Sequence, residues 1–130
     1  MATERISLDD ARELLAASFM AVGVPEATAR SVGDALVAAE AEGQSGHGFS
    51  RLADYAAQAK SGKINALAEP RVKRHGAGAL EIDAGNGFAY PALELAIREG
   101  LAYAACIDHA EELAVLMRLI RLTDDSARLR

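Results

Sequence analysis

Gly-Gln-Ser-Gly-His-Gly-Phe-Ser-Arg-Leu-Ala-Asp-Tyr, residues 43–55, decides how this chain is read. Glycines at 43, 46 and 48 mark a turn, and the apolar pattern resuming at Leu52 marks a new helix. His47, Arg51 and Tyr55 follow at intervals of one helical turn, which predicts an imidazole, a guanidinium and a phenol along one face. A guanidinium can grip a carboxylate through two parallel hydrogen bonds. An imidazole can exchange a proton near neutral pH, and a phenol can orient an oxygen. Together they suit a small 2-oxo or 2-hydroxy acid. By spacing alone the same residues also describe a solvated helical face, which is the commoner occurrence.

Upstream, Ser7-Leu8-Asp9-Asp10 has the form of an N-cap with an acidic first turn. Leu8, Ala11, Leu15, Phe19 and Val22 keep helical spacing, Gly23 stops the helix, and Pro25 fits the first position of the next. Val32, Leu36 and Ala39 form the stripe of that second helix, which ends near Gly43. The third helix carries Leu52, Tyr55, Ala56 and Ala59, and Gly62 closes it.

The texture changes after Lys63. Residues 71–75 and 79–83 predict two short strands, with Leu80 and Ile82 alternating against Glu81 and Asp83. Gly76-Ala77-Gly78 is the turn between them. Gly85-Asn86-Gly87 forms a second turn. Pro91 opens a helix with the stripe Leu93, Ile97 and Leu101 and a weak point at Gly100. Asp108 and Glu111 resemble a capping box for a last helix with the stripe Leu113, Leu116, Met117 and Ile120. The expected fold is therefore α+β and mostly α. It has a helical N-terminal unit (1–64), a β-hairpin with turns (65–88), and one or two further helices (89–130).

A chain of 130 residues, 51% of them hydrophobic, can bury one core. The net charge of −5 argues against binding a phosphate backbone, and the cationic residues 60–74 straddle a loop and a strand rather than form a stripe. The single cysteine, Cys106, excludes an internal disulfide and lies in an apolar run where it would pack. The polar N-terminus lacks a signal-peptide core, and no run approaches the roughly 18–20 apolar residues of a membrane span. A reduced, cytoplasmic setting is the expectation.

Other sites are weaker. Gly85 and Gly87 match two glycines of a dinucleotide-binding fingerprint, but Tyr90 stands where the third, small residue is needed. His47, His75 and His109 lack metal-ligand spacing, so no metal is expected. Ser45 and Ser50 flank His47 without an orienting acid, so they form no triad. Ser45 is most simply a turn or cap residue.

Several segments, taken in order, are similar to the start of the malate/L-lactate dehydrogenase family, which lacks a Rossmann fold. Ala-Val-Gly-Val-Pro-Glu-Ala-Thr-Ala, residues 21–29, resembles its first interhelical turn. Residues 45–55 resemble its Ser-His-Gly-x-x-Arg-Leu-x-x-Tyr signature. Lys-Ser-Gly-Lys-Ile (60–64) and Ile-Asp-Ala-Gly-Asn-Gly (82–87) resemble the segments that follow. The resemblance covers residues 6 to about 98. It implies hydride exchange between NAD or NADP and a small 2-hydroxy or 2-oxo acid. It assigns His47 to the substrate pocket as the catalytic candidate, Arg51 to the substrate carboxylate, and Tyr55 to the pocket lining. Ser45 is assigned to the substrate site only if Gly46 is an inserted residue. Family members are more than twice this long, with the cofactor bound by a domain encoded further on, so the cofactor-binding residues are not visible here. A second acid/base histidine of the family does not map onto His109, whose neighbours differ. The resemblance thus implies an incomplete oxidoreductase. The alternative is a non-catalytic helical fragment that folds or forms a homodimer.

Overall fold

Ser7 opens the first helix, α1 (Leu8–Met20). Its hydroxyl accepts the Asp10 N–H at 3.0 Å and donates to the Asp10 carboxylate at 2.6 Å. One otherwise unpaired N–H is thereby satisfied, and Asp9 and Asp10 lie at the positive end of the helix dipole. The computed structural model describes residues 5–74 and 79–104. After Met20 the chain turns through Gly23, and the Val24 N–H returns to the Phe19 carbonyl at 3.2 Å. Helix α2 (Glu26–Ala41) begins one residue later than expected, because Pro25 is extended (ψ 146°) and caps it from outside. The missing N–H of Pro25 costs no helical bond there, and its carbonyl accepts the Ala29 N–H at 2.8 Å.

Ala11, Leu15 and Phe19 of α1 are buried with Ala29, Val32, Leu36 and Val37 of α2, and with Val24 and Phe88. Leu8 departs from the expected stripe. It stands at the first helical position, ahead of the buried face, and is half exposed. Arg30 ties the two helices on the outside, reaching Glu13 at 2.8 Å and Glu26 at 3.0 Å. Its hydrogen bond and charge hold the Glu13 carboxyl below the ordinary carboxylate range. That contribution is present at neutral pH and fades in acid, and exposed pairs of this kind contribute little.

A single 3-10 turn (Phe49–Arg51) leads into α3 (Leu52–Lys60). Leu52, Tyr55, Ala56 and Ala59 pack half-buried on the core, as their spacing predicts. These helices, the chain through Ala68 and the segment Asn86–Pro91 make one compact unit. Within it the Asn65 N–H donates to the Asn86 carbonyl at 2.9 Å, and the Asn86 side-chain amide donates to the Lys63 carbonyl at 3.3 Å.

Glu69–Gly85 and the chain from Ala92 belong to a second unit. Strands β1 (Arg71–Arg74) and β2 (Leu80–Asp83) pair antiparallel, with Lys73 opposite Glu81 and within 4 Å of both Glu81 and Asp83. Helix α4 (Ala89–Ala104) begins two residues before Pro91, which still falls in the first turn, where a missing N–H is tolerated. It continues through Gly100. Its expected stripe is displaced: Leu93, Ile97 and Leu101 are 38%, 61% and 57% exposed. The more covered face is Ala92, Leu95, Ala96, Glu99 and Gly100, one position over. Apolar residues on both faces made the two stripes indistinguishable by periodicity.

The described residues thus form an α+β fold that is mostly α, with four helices and one two-stranded sheet. His75, the turn 76–78, Cys106, the Asp108–Glu111 capping box, His109 and the stripe 113–120 lie outside them.

Candidate functional site

The signature loop is braced by its own backbone. Helix α2 runs out at Ala41, and Gly43 reverses the chain with φ +80°. The Gln44 N–H returns to the Ala39 carbonyl at 2.8 Å, and the His47 N–H to the Gln44 carbonyl at 2.8 Å. The Ser45 carbonyl accepts both the Gly48 N–H (3.3 Å) and the Ser50 hydroxyl (2.6 Å).

Glu40 fastens the loop to α2. Its carboxylate accepts the Phe49 N–H at 2.9 Å, satisfying a donor at the head of the 3-10 turn. Gly48 makes this approach possible. A Cβ at that position would stand 2.9 Å from the Glu40 Cβ and 3.1 Å from its Cα. Gly48→Ala is therefore expected to lower stability by about 1–3 kcal/mol, the usual cost of overpacking. Urea denaturation reads this directly, and an unchanged midpoint would contradict the close approach.

Arg51 and Tyr55 are one turn apart where the helix begins, so they share a face as expected. His47 does not join them on a helix. It lies in the turn before Phe49, exposed, and its imidazole makes no hydrogen bond among the described residues. The glycines on either side break the helical spacing on which that expectation rested. Ser45 is exposed and contributes its carbonyl to the loop.

The Arg51 Nε donates to the Gly46 carbonyl at 2.6 Å, which fixes the guanidinium plane. Asp54 is 3.9 Å from Nη1, a loose and exposed ion pair. With Nε committed, the Nη1–Nη2 edge is the part of the fork left to receive an anion, and the side chain is 43% exposed. Tyr55 contacts Tyr90 with ring centroids 6.4 Å apart, and both belong to the same compact unit as Arg51. Burial, and then the hydrogen bond with Tyr55, push the Tyr90 phenol up to about 12, while the Arg51 charge opposes the shift. Arg51, Tyr55 and Tyr90 therefore form a cluster. The sequence relates Tyr90 only to a glycine fingerprint. Its aromatic spacing from Phe88 was the available signal.

Residues 6–120 match the malate/L-lactate dehydrogenase family. The chain belongs to that family. The match runs past Arg98, where the resemblance read from motifs ended. Among relatives, a (2R)-3-sulfolactate dehydrogenase (NADP(+)) of Chromohalobacter salexigens is 41% identical over 99 residues, which is 76% of this chain and 29% of that protein. A Δ1-pyrroline-2-carboxylate/Δ1-piperideine-2-carboxylate reductase of Pseudomonas aeruginosa is 37% identical over 93 residues, covering 72% of this chain and 28% of the relative. The crystal structure of Δ1-piperideine-2-carboxylate reductase from Pseudomonas syringae superposes with a TM-score of 0.76 at 30% identity, covering 80% of this chain and 31% of that one. This malate/L-lactate dehydrogenase family chain thus spans under a third of the length of these relatives.

The described residues of the family chain do not form a Rossmann-type dinucleotide cradle. β1 and β2 are antiparallel, and Tyr90, in the first turn of α4, stands at the fingerprint position that needs a small residue. No group of three His, Cys, Asp or Glu side chains among them could hold a metal ion. No helix among them is long and apolar enough to cross a membrane.

Proposed function

We propose that this chain carries the carboxylate-recognising half of an NAD(P)-dependent oxidoreductase acting on a small 2-oxo or 2-hydroxy acid. The observation that carries the reading is the Arg51 guanidinium, fixed through Nε to the Gly46 carbonyl with its Nη edge left for an anion. Arg51 grips the carboxylate and Tyr55 lines the same pocket. The exposed His47 is the proton-exchanging candidate, and Ser45 flanks the pocket. NAD or NADP is implied by kinship; when bound it would supply the hydride. The setting proposed is the cytoplasm. Calorimetric titration tests the reading with pyruvate and with uncharged pyruvamide. Saturable binding of pyruvate alone is expected, and equal binding of both, or of neither, would refute it. Fluorescence titration of NADH and NADPH then asks whether the chain also holds the cofactor.

A second reading is a non-catalytic unit that pairs with a second copy. The exposed face Leu93, Ile97 and Leu101 favours it. Light scattering across a hundredfold concentration range discriminates, since a strict monomer removes the pairing.

A further inference from the structure

Tyr90 lies beside the Arg51–Tyr55 pair, and neither the signature motif nor the kinship assigns it a role. Phe88 explains its placement. That ring is buried against Phe19, with centroids 5.9 Å apart at 71°. Tyr55 packs on the other side of Phe88 at 6.1 Å, and Tyr90 on Tyr55 at 6.4 Å. A run of aromatic contacts therefore leads from the core of the first unit to Tyr90, whose phenol feels the Arg51 charge. Anchoring Phe88 fixes the first turn of α4 two residues later, and so fixes Tyr90.

We propose that Tyr90 is a positioning residue for carboxylate recognition: its phenol holds that of Tyr55 so that Tyr55 and Arg51 receive one carboxylate together. The inference rests on the reading of Arg51 as the carboxylate grip. The Tyr55 and Tyr90 rings lie tilted against each other with centroids 6.4 Å apart, which brings the two phenols within reach of one shared hydrogen bond. Such a bond to Tyr55 is among the causes that raise the Tyr90 phenol. Each phenol is one donor and one acceptor, so when one donates within the pair, the other's O–H is directed outward. A tyrosine phenol is protonated at physiological pH in any case and burial pushes Tyr90 further the same way, so no phenolate competes with a substrate carboxylate for Arg51. A ring serving only to pack would need no hydroxyl.

Tyr90→Phe removes that oxygen and keeps the ring. Pyruvate binding by the full chain is expected to weaken about five- to tenfold, with the melting temperature close to wild type. The ζ-carbon resonance of Tyr55 in ¹³C-tyrosine-labelled protein should move at neutral pH. Tyr55→Phe and the double variant Y55F/Y90F should bind pyruvate equally, because the second hydroxyl acts through the first. Wild-type affinity in Y90F, an unmoved Tyr55 resonance, or multiplying losses in the double variant would each overturn the inference. If Arg51→Ala binds pyruvate as well as wild type, the carboxylate reading falls and this inference with it. If R51A loses binding and Y90F does not, this inference alone falls.

Discussion

Replacing Arg51 with alanine should weaken pyruvate binding by about 10- to 100-fold while leaving the chain folded. Charge-assisted hydrogen bonds contribute about 1.5–3 kcal/mol each, and a carboxylate on the Nη edge would receive two in parallel. The Arg51 side chain is 43% exposed, so water and salt screen part of that gain and the full sum is not expected. The cost to folding is smaller. Arg51→Ala removes the bond from Nε to the Gly46 carbonyl in an exposed loop, an effect of about 1 kcal/mol. Lysine is an informative partner variant. It keeps the charge but lacks the planar fork and the Nε donor, so R51K should recover only part of the affinity. Calorimetry with pyruvate measures all three proteins, and urea midpoints separate affinity from stability. Full affinity in R51K would mean that charge alone, without the fork, recognises the anion.

The largest stability effect is expected at Phe19. This side chain is fully buried and meets Phe88 edge-on, so it joins the helix pair to the segment that carries Tyr90. Phe19→Ala removes the ring and leaves a cavity, at a cost of about 3–5 kcal/mol. For a domain stabilised by roughly 5–15 kcal/mol, that is a large share of the total. Leu14 provides the control within the same helix. It is 56% exposed, so Leu14→Ala should stay within about 0.5 kcal/mol of wild type. Denaturant midpoints compare the two. If L14A proved as costly as F19A, helix α1 would have to present a different face to α2.

The helical part of the fold was legible because its signals agree. Ser7 caps, Ala11, Leu15 and Phe19 repeat at the helical period, and Gly43 and Gly62 end helices with positive φ. The strands were legible from the alternation around Leu80 and Ile82. Three features were not. His47 has helical spacing to Arg51, yet the Gly46 and Gly48 flanks place it in a turn, and spacing counts residues without knowing where the helix begins. The α4 stripe was misplaced because Ala92, Ala96 and Gly100 are as compatible with a covered face as Leu93, Ile97 and Leu101. Glu40 and Tyr90 act across the chain, through Phe49 and Tyr55, and nothing local in sequence announces such contacts.

The site divides on the same principle. The shared face of Arg51 and Tyr55 could be read in advance because the two lie one helical turn apart. Its supports could not, since the Gly46 carbonyl under Arg51 and the Glu40 carboxylate under Phe49 depend on how the loop closes. The supports also explain why glycine is required at residue 48 more strictly than at its neighbour Gly46, where an added Cβ would meet nothing within 4 Å.

The central claim is that the loop 45–51 and the face of Tyr55 together receive a small carboxylate. A ¹H–¹⁵N correlation titration with pyruvate, run on the wild-type chain and on R51A, tests it most directly. The account predicts saturable shifts concentrated at Gly46, His47, Arg51, Tyr55 and Tyr90 in the wild type, and their loss in R51A. Shifts that do not saturate, that spread evenly over the helices, or that persist unchanged in R51A would contradict it.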